Sequence, residues 1–219
     1  MVPQLNVSQP VACALNDVIP QIAPPPDLSV SQWADKYRVI TEGTPVPGPW
    51  RTDRLPYLRE IMDSINDPRV QEVIFMKSSQ VGATECGLNI VGFLVHLDPC
   101  NIIGVFPSGR SGDAEKWSKN RFNPMVNNSP ELTSRIAPVK SRDSSNTVLQ
   151  KTFRGGGLFL VGANSPSALA STPCRVVFYE EITSINQNCG PQGDTISIAA
   201  ARTTVFRNRK LYKSGSPSI

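Results

Sequence analysis

The chain has 219 residues, of which 39% are hydrophobic and 18% charged, so it can bury a core, and its length suits one domain with extensions. Its longest apolar stretches, such as 89–97, are too short to span a bilayer, and residues 1–9 lack the basic and apolar regions of a secretory signal. We therefore expect neither a membrane protein nor a secreted one, and the net charge of +4 is too small to indicate nucleic-acid binding by itself.

The first 54 residues are predicted to form an N-terminal arm and a connector. An extended arm is indicated by a cluster of prolines, namely Pro3, Pro10, Pro20, Pro24, Pro25 and Pro26. A second proline cluster, 44–50, predicts a stiff connector that carries Trp50 as an aromatic anchor. Between the two clusters, residues 29–37 predict a short helix capped by Ser29 or Ser31.

Residues 55–219 alternate between helical patterns and short apolar runs. Helices are predicted at 56–65, 83–97 and 111–126, with Ser111 as the cap of the last, and strands at 73–76, 101–106, 157–162, 175–179 and 210–213. The apolar runs are continuous, which predicts strands buried on both faces, and their separation by helices predicts parallel pairing. The fold class is therefore α/β, with three layers and a mostly parallel central sheet.

A candidate phosphate-binding loop follows the strand predicted at 73–76. Its residues are Lys77, Ser78, Ser79, Gln80, Val81, Gly82, Ala83 and Thr84. Such loops have the pattern G-x-x-x-x-G-K-[ST] between a strand and a helix. When Thr84 takes the hydroxyl position, Gly82 falls on the second glycine, Ala83 replaces the usual lysine, and Lys77 stands at the first position.

The displaced lysine is physically compatible with phosphate binding. Backbone N–H groups and the helix N-terminus contribute most of the binding and do not depend on side chains. Lys77 is long enough to reach the terminal phosphates from the opposite rim, and the Thr84 hydroxyl would bind Mg²⁺. On spacing alone, the segment is equally compatible with a tight structural turn that binds no ligand.

Two adjacent carboxylates, Glu180 and Glu181, end the strand predicted at 175–179. An ATPase needs one carboxylate near its metal and often a second that polarises the attacking water, and open α/β sheets bind ligands at strand ends. The alternative is an exposed pair at the strand exit, but the preceding loop favours the first interpretation. Segment 214–217, after the last predicted strand, either senses a terminal phosphate or is a plain loop.

The cysteines and the basic residues near the end of the chain give weaker indications. The five cysteines form no C-x-x-C pair and the chain has one histidine, His96, which predicts reduced thiols rather than a zinc site. Basic residues follow the last acidic residue, Asp194, at Arg202, Arg207, Arg209, Lys210 and Lys213. They either face phosphate groups or form one solvated edge of a strand.

Several motifs together resemble the lambda-type family of phage terminase large subunits. They include GPWRTD at 48–53, KSSQVGATE at 77–85, FPS at 106–108, FYEE at 178–181 and SGSP at 214–217. The resemblance runs in this specific order from about residue 28 to the end of the chain. It implies a P-loop ATPase of the additional-strand class, which uses ATP and Mg²⁺ to drive double-stranded viral DNA into a prohead.

The resemblance also implies roles for individual residues. Lys77 would be the phosphate-contacting cation and residues 78–84 would cradle the phosphates. Glu180 would lie at the metal position, where the family usually has aspartate, and Glu181 would be the catalytic glutamate. Segment 214–217 would couple hydrolysis to motion, and Tyr57 or Trp50 would contact adenine.

Further expectations concern the domain boundaries and the partners. We expect an arm and connector over 1–54 and an ATPase domain over 55–219, without the nuclease domain that family members carry. A homo-oligomer in the host cytoplasm, with the small terminase subunit and the portal as partners, is implied by the family. Arg202 and Arg209 either complete a neighbouring subunit's site or are surface or DNA-facing arginines.

Two other functions remain compatible with the sequence. The missing loop lysine and the glutamate at position 180 favour a catalytically weak module that binds nucleotide or DNA. A fragment of another P-loop motor, such as a helicase, is the second alternative. Stimulation by single strands would distinguish the helicase.

Overall fold

A computed structural model describes residues 25–41, 43–136, 146–188 and 193–217. In chain order, its elements are α1 (Val30–Tyr37), β1 (Val39–Ile40), β2 (Gly48–Pro49), a 3-10 turn (Thr52–Arg54), α2 (Tyr57–Asp63), β3 (Glu72–Met76), α3 (Ala83–His96), β4 (Ile102–Phe106), α4 (Asp113–Trp117), a π-helical turn (Ser118–Phe122), α5 (Asn123–Asn127), α6 (Pro130–Thr133), β5 (Gln150–Phe153), β6 (Gly156–Gly162), α7 (Pro166–Ala170), β7 (Val176–Tyr179), a 3-10 turn (Ile182–Ser184), α8 (Thr195–Ala201) and β8 (Lys210–Gly215). Most of the proline-rich arm predicted before residue 28 lies outside the described residues.

The main sheet has six strands in the order β3-β8-β7-β4-β6-β5. All neighbours pair in parallel except β5, which runs antiparallel to β6 at one edge. The last strand of the chain, β8, therefore lies between β3 and β7. This inserted strand confirms the predicted additional-strand class of α/β fold.

Two apolar layers cover the two faces of this sheet. The larger contains α3 and packs Leu88, Leu94 and Phe178 with aromatic side chains that include Trp33 and Trp117. The smaller core lies on the other face, where α7 and α8 contribute Leu169 and Ala199 beside Val177 and Tyr179 of β7. The predicted three-layer arrangement is confirmed, because strands buried on both faces need cover on both.

Helix α1 and the connector that follows it pack into the larger core. Ser29 caps α1 through a capping box with Gln32, as one of the two predicted caps. Trp33 is fully buried against α3, and its indole Nε1 donates a 3.0 Å hydrogen bond to His96 Nδ1. Trp50 is also buried in this core, so the predicted aromatic anchor is confirmed.

Three local predictions were wrong, and some elements were not predicted. Edge strand β3 is covered on one face only, because Val73 and Phe75 pack against the larger core while Ile74 and Met76 on the other face are exposed. Helix 111–126 is broken into α4, the π-helical turn and α5, and Ser108 rather than Ser111 accepts from the Asp113 amide at 2.9 Å. Strand β5 and helix α8 were not predicted, since their short segments lack a clear apolar period.

The three described cysteines, Cys86, Cys100 and Cys174, are free thiols buried in the protein. Burial raises the pKa of each thiol, to about 12, about 11 and about 12 respectively. The thiols are therefore protonated and unreactive near neutral pH. Across the described parts of the chain, no helix has the length and apolar character that crossing a membrane requires.

Alanine substitutions at two glycines of α3 are expected to change the stability in opposite directions. A Cβ at Gly92 would lie 2.3 Å from Trp33 Cη2, whereas a Cβ at Gly87 would lie 3.7 Å from Tyr212 Cε1. We expect Gly92→Ala to lower the free energy of unfolding by about 1–3 kcal/mol through overpacking. Gly87→Ala should raise it by up to about 1 kcal/mol through helix propensity. Urea unfolding of both variants checks this, and equal effects would contradict the packing of α1 on α3.

Candidate functional site

The loop after β3 adopts a conformation that favours glycine and leads directly into α3. Gly82 has a φ of +76°, and a Cβ at this position would lie 2.8 Å from Leu55 Cδ1. Gln80 also has a positive φ of 64°. The helix begins at Ala83, so the amide groups of its first turn belong to the loop's rim. This is the local geometry in which a helix N-terminus binds anions.

Lys77 and Glu181 meet across the gap between β3 and β7. Lys77 Nζ donates to Glu181 Oε1 at 2.5 Å and to Ser216 Oγ at 3.1 Å. The Ser216 amide donates to Glu181 Oε2 at 3.3 Å. Glu181 itself has a left-handed backbone, with φ 52°, which turns the chain sharply at the end of β7. The predicted cation and the predicted catalytic carboxylate are therefore in direct contact.

Thr84 and Glu180 form a second oxygen cluster beside the first. Thr84 Oγ1 donates to Glu180 Oε1 at 2.7 Å, and Ser214 Oγ donates to Glu180 Oε2 at 3.1 Å. Glu180 is buried, and this burial raises the pKa of its carboxyl group, although the two hydrogen bonds act in the opposite direction. A hydroxyl and a buried carboxylate are the hard oxygen ligands that suit Mg²⁺, which keeps most of its waters in such sites.

A cleft of about 540 Å³ opens between the loop and the connector. The loop side is lined by Lys77, Ser79, Gln80, Val81, Gly82, Ala83 and Thr84, together with Glu181 and Ser216. The connector side is lined by Ile40, Pro45, Val46, Pro49, Trp50, Arg51 and Arg54. The cleft thus has a polar loop side that contains Lys77, and a connector side that is mostly apolar but carries Arg51 and Arg54.

Two of the predicted binding residues do not line this cleft. Ser78 is absent from its walls, and so is Tyr57. Tyr57 instead lies outside the loop and donates a 2.9 Å hydrogen bond from its hydroxyl to the Val81 carbonyl. Tyr57 is thus placed as a brace of the loop, whereas Trp50, the other residue considered for the adenine contact, does line the cleft.

A second hollow, of about 410 Å³, adjoins the cleft at the carboxyl ends of β4 and β7. Glu180 lines this hollow but not the cleft, while Thr84, Glu181 and Arg121 line both cavities. Glu180 therefore faces the hollow, and Glu181 lies at the boundary between the hollow and the cleft. Both carboxylates thus lie next to the boundary between the cleft and the hollow.

A family model described as "Phage terminase large subunit gpA, ATPase domain" matches residues 44–219. The chain belongs to this family. The predicted resemblance to terminase large subunits is therefore confirmed, and the matched segment contains the loop, both carboxylates and the strand β8.

Relatives of this terminase domain support the same assignment. The large terminase subunit of Escherichia phage lambda is 26% identical over 198 residues, and that of Enterobacteria phage P21 is 25% identical over 197 residues. These matches cover 90% and 89% of the chain but only 30% of each relative. The crystal structure of the HK97 bacteriophage large terminase has the same fold, with a TM-score of 0.65 and 16% identity over 85% of this chain and 37% of that one.

The basic residues after Asp194 do not form a single row in this terminase domain. Lys213 pairs with Glu72, and Lys210 is buried, where it donates to the carbonyls of Asp67 and Val70. The predicted candidates for a completing arginine are also engaged within the chain. Arg202 donates to the Ala170 carbonyl at 3.1 Å, and Arg209 donates to Gln71 Oε1 at 3.1 Å.

Sequence reasoning missed a cluster of two arginines around Glu85. Buried Arg38, from the end of α1, donates from Nη2 to Glu85 Oε2 at 2.6 Å. Arg121, from the π-helical turn, lies 3.9 Å away from Glu85 Oε1. Burial lowers the pKa of Arg38, and the charge of Glu85 opposes this shift. Because the three residues come from distant segments, no spacing in the sequence indicates the cluster.

For the buried Arg38–Glu85 pair, we expect a single substitution to destabilise the protein much more than the double substitution does. We expect Arg38→Met to lower the free energy of unfolding by about 3 kcal/mol, because the Glu85 carboxylate loses its closest counter-charge. The double variant with Arg38→Met and Glu85→Leu should recover much of this loss, since no unpaired charge stays buried. A double-mutant cycle measured by denaturant unfolding checks the coupling, and additive effects would contradict it.

Proposed function

We propose that this domain hydrolyses ATP with Mg²⁺ and serves as the motor of phage DNA packaging. The observation that carries the proposal is the contact between Lys77 and Glu181 beside the Thr84–Glu180 cluster, all at the carboxyl edge of the sheet. A cation, a phosphate-type loop, a hydroxyl and two carboxylates are the parts that phosphoryl transfer uses.

The nucleotide is proposed to lie along the cleft, with its phosphates at the loop and its base against the connector. The amides of residues 79–84 and the Lys77 ammonium hold the phosphates at the polar end. The apolar wall, with Pro45, Val46 and Trp50, supports the base. This placement favours Trp50 over Tyr57 as the aromatic neighbour of the adenine.

Thr84 and Glu180 are proposed to hold Mg²⁺ through their oxygens. The ion, when bound, supplies charge neutralisation on the phosphate oxygens. Ser214 orients the Glu180 carboxylate from the neighbouring strand, through its 3.1 Å hydrogen bond. Glu180 is one methylene longer than the aspartate usual in the family, and its carboxylate accepts a 2.7 Å hydrogen bond from the Thr84 hydroxyl.

Glu181 is proposed to orient the attacking water and to accept its proton. Its present partner is the Lys77 ammonium, which is also the cation nearest the loop. When phosphate attracts Lys77, the Glu181 carboxylate gains freedom to bind water in the adjoining hollow. Ser216 contacts both side chains, so segment 214–217 is placed to respond to this exchange.

The wider activity belongs to the whole terminase and extends the proposal. We propose that this motor translocates double-stranded viral DNA into the prohead in the host cytoplasm, with the small terminase subunit and the portal as partners. A homo-oligomer during packaging fits a motor of this family. This chain spans 30% of the length of the curated relatives it matches.

Substitutions at Glu181 and Lys77 separate binding from chemistry. We expect Glu181→Gln to lower the turnover of ATP by about 10²–10³-fold while it retains binding of a fluorescent ATP analogue, because only the water-orienting charge is lost. Lys77→Ala should weaken binding itself, since it removes the cation at the phosphates. Steady-state hydrolysis and fluorescence titration with Mg²⁺ measure the two effects.

The control is Glu60→Gln, an exposed glutamate on α2 away from the cleft. It should leave both binding and turnover unchanged. If Glu181→Gln hydrolyses ATP at the parent rate, the catalytic role of Glu181 is wrong. If the parent chain binds ATP without hydrolysing it, the weak nucleotide-binding module is the better description.

A further inference from the structure

Arg121 occupies a distinctive position among the cations of the site. It lines both the cleft with the phosphate-type loop and the hollow that contains Glu180. Among the cations of the described ranges, Lys77, Arg51 and Arg54 line only the cleft, and Lys116 lines only the hollow. Arg121 therefore stands at the boundary where the terminal phosphate of a nucleotide in this cleft would meet the attacking water.

The charges around Arg121 leave its guanidinium available for an anion. Its salt-bridge partner within the described residues is Glu85, at a long 3.9 Å, while Arg38 holds the same carboxylate at 2.6 Å. Two arginines thus share one carboxylate, and Arg121 makes the longer of the two contacts. Arg121 is also partly exposed, so a small movement of its side chain costs little burial.

The backbone around Arg121 fixes where its guanidinium lies. The side chain projects from the π-helical turn toward the connector, and a Cβ on Gly43 would lie 2.6 Å from Arg121 Nη1. Asn128, the C-cap residue of α5, donates a 2.9 Å hydrogen bond to Thr41 Oγ1 and ties the same two segments together. The glycine at position 43 therefore leaves room for the guanidinium at the edge of the cleft.

We infer that Arg121 contacts the terminal phosphate of the bound nucleotide from within the same chain and stabilises the charge that develops there during hydrolysis. This inference rests on the proposed ATPase function. Its chemistry suits arginine, whose planar group offers two parallel N–H donors to phosphate oxygens. Because ADP lacks the terminal phosphate, Arg121 should distinguish the triphosphate from the diphosphate.

The test compares Arg121→Ala with the parent chain in binding and in turnover. We expect the affinity for a non-hydrolysable ATP analogue to fall at least about tenfold, while the affinity for ADP changes by less than about twofold. Turnover should fall by about 10³-fold, in the range known for arginines that act on transferring phosphoryl groups. For Arg121→Lys, the affinity for the ATP analogue and the turnover should lie between those of the parent and those of Arg121→Ala, because lysine keeps the charge but loses the paired donors.

Lys119→Ala is the matched control, because Lys119 lies on the same turn and pairs with Glu115 outside the cleft. It should leave nucleotide affinities and turnover unchanged. A purely structural role for Arg121 predicts that Arg121→Ala weakens ATP analogue and ADP equally and lowers the melting temperature, and this result would overturn the inference. If Arg121→Ala does not fold, the same ATP-to-ADP comparison on Arg121→Lys decides.

The outcome separates this inference from the proposed function. A parent chain that neither binds nor hydrolyses ATP rejects the ATPase proposal as a whole. A parent that hydrolyses ATP, loses activity in Lys77→Ala and keeps it in Arg121→Ala rejects only the role of Arg121.

Discussion

The position of β8 between β3 and β7 is the constraint on which the site depends. Neighbouring strands lie about 4.8 Å apart, so this insertion separates the loop strand from the carboxylate strand by about 10 Å. Lys77 and Glu181 nevertheless meet at the end of the inserted strand, with Nζ and Oε1 2.5 Å apart. The end of β8 also bridges the gap, because Ser214 contacts Glu180 and Ser216 contacts both Lys77 and Glu181.

The two carboxylates differ in their burial and in their partners. Glu180 is held by two hydroxyl groups in a buried position, and this burial raises the pKa of its carboxyl group. Glu181 is more exposed, and its partner is the Lys77 ammonium, whose side chain is itself largely buried. Adjacent residues normally point to opposite sides of a strand, and the left-handed backbone at Glu181 brings both toward the same edge.

The connector contributes to the site as well as to the core. Trp33 and Trp50 anchor it in the larger apolar layer, and the segment between them forms the apolar wall of the cleft. Arg38 at the end of α1 neutralises Glu85 directly beside Thr84. A stretch that reads as a proline-rich linker is thus built into the binding surface, while its boundary with the domain at residue 55 stays a prediction.

Local sequence determined the parts of this protein that depend on neighbouring residues. Continuous apolar runs predicted the buried strands, the spacing from Lys77 to Thr84 predicted the loop, and the strand ending at Glu180 and Glu181 predicted the acidic pair. Only the tertiary structure decided that Tyr57 braces the loop from outside, that β3 is an edge strand, and that Arg38 and Arg121 converge on Glu85. These contacts join segments far apart in the chain, so strand order and helix packing specify them, and no local period or spacing carries that information.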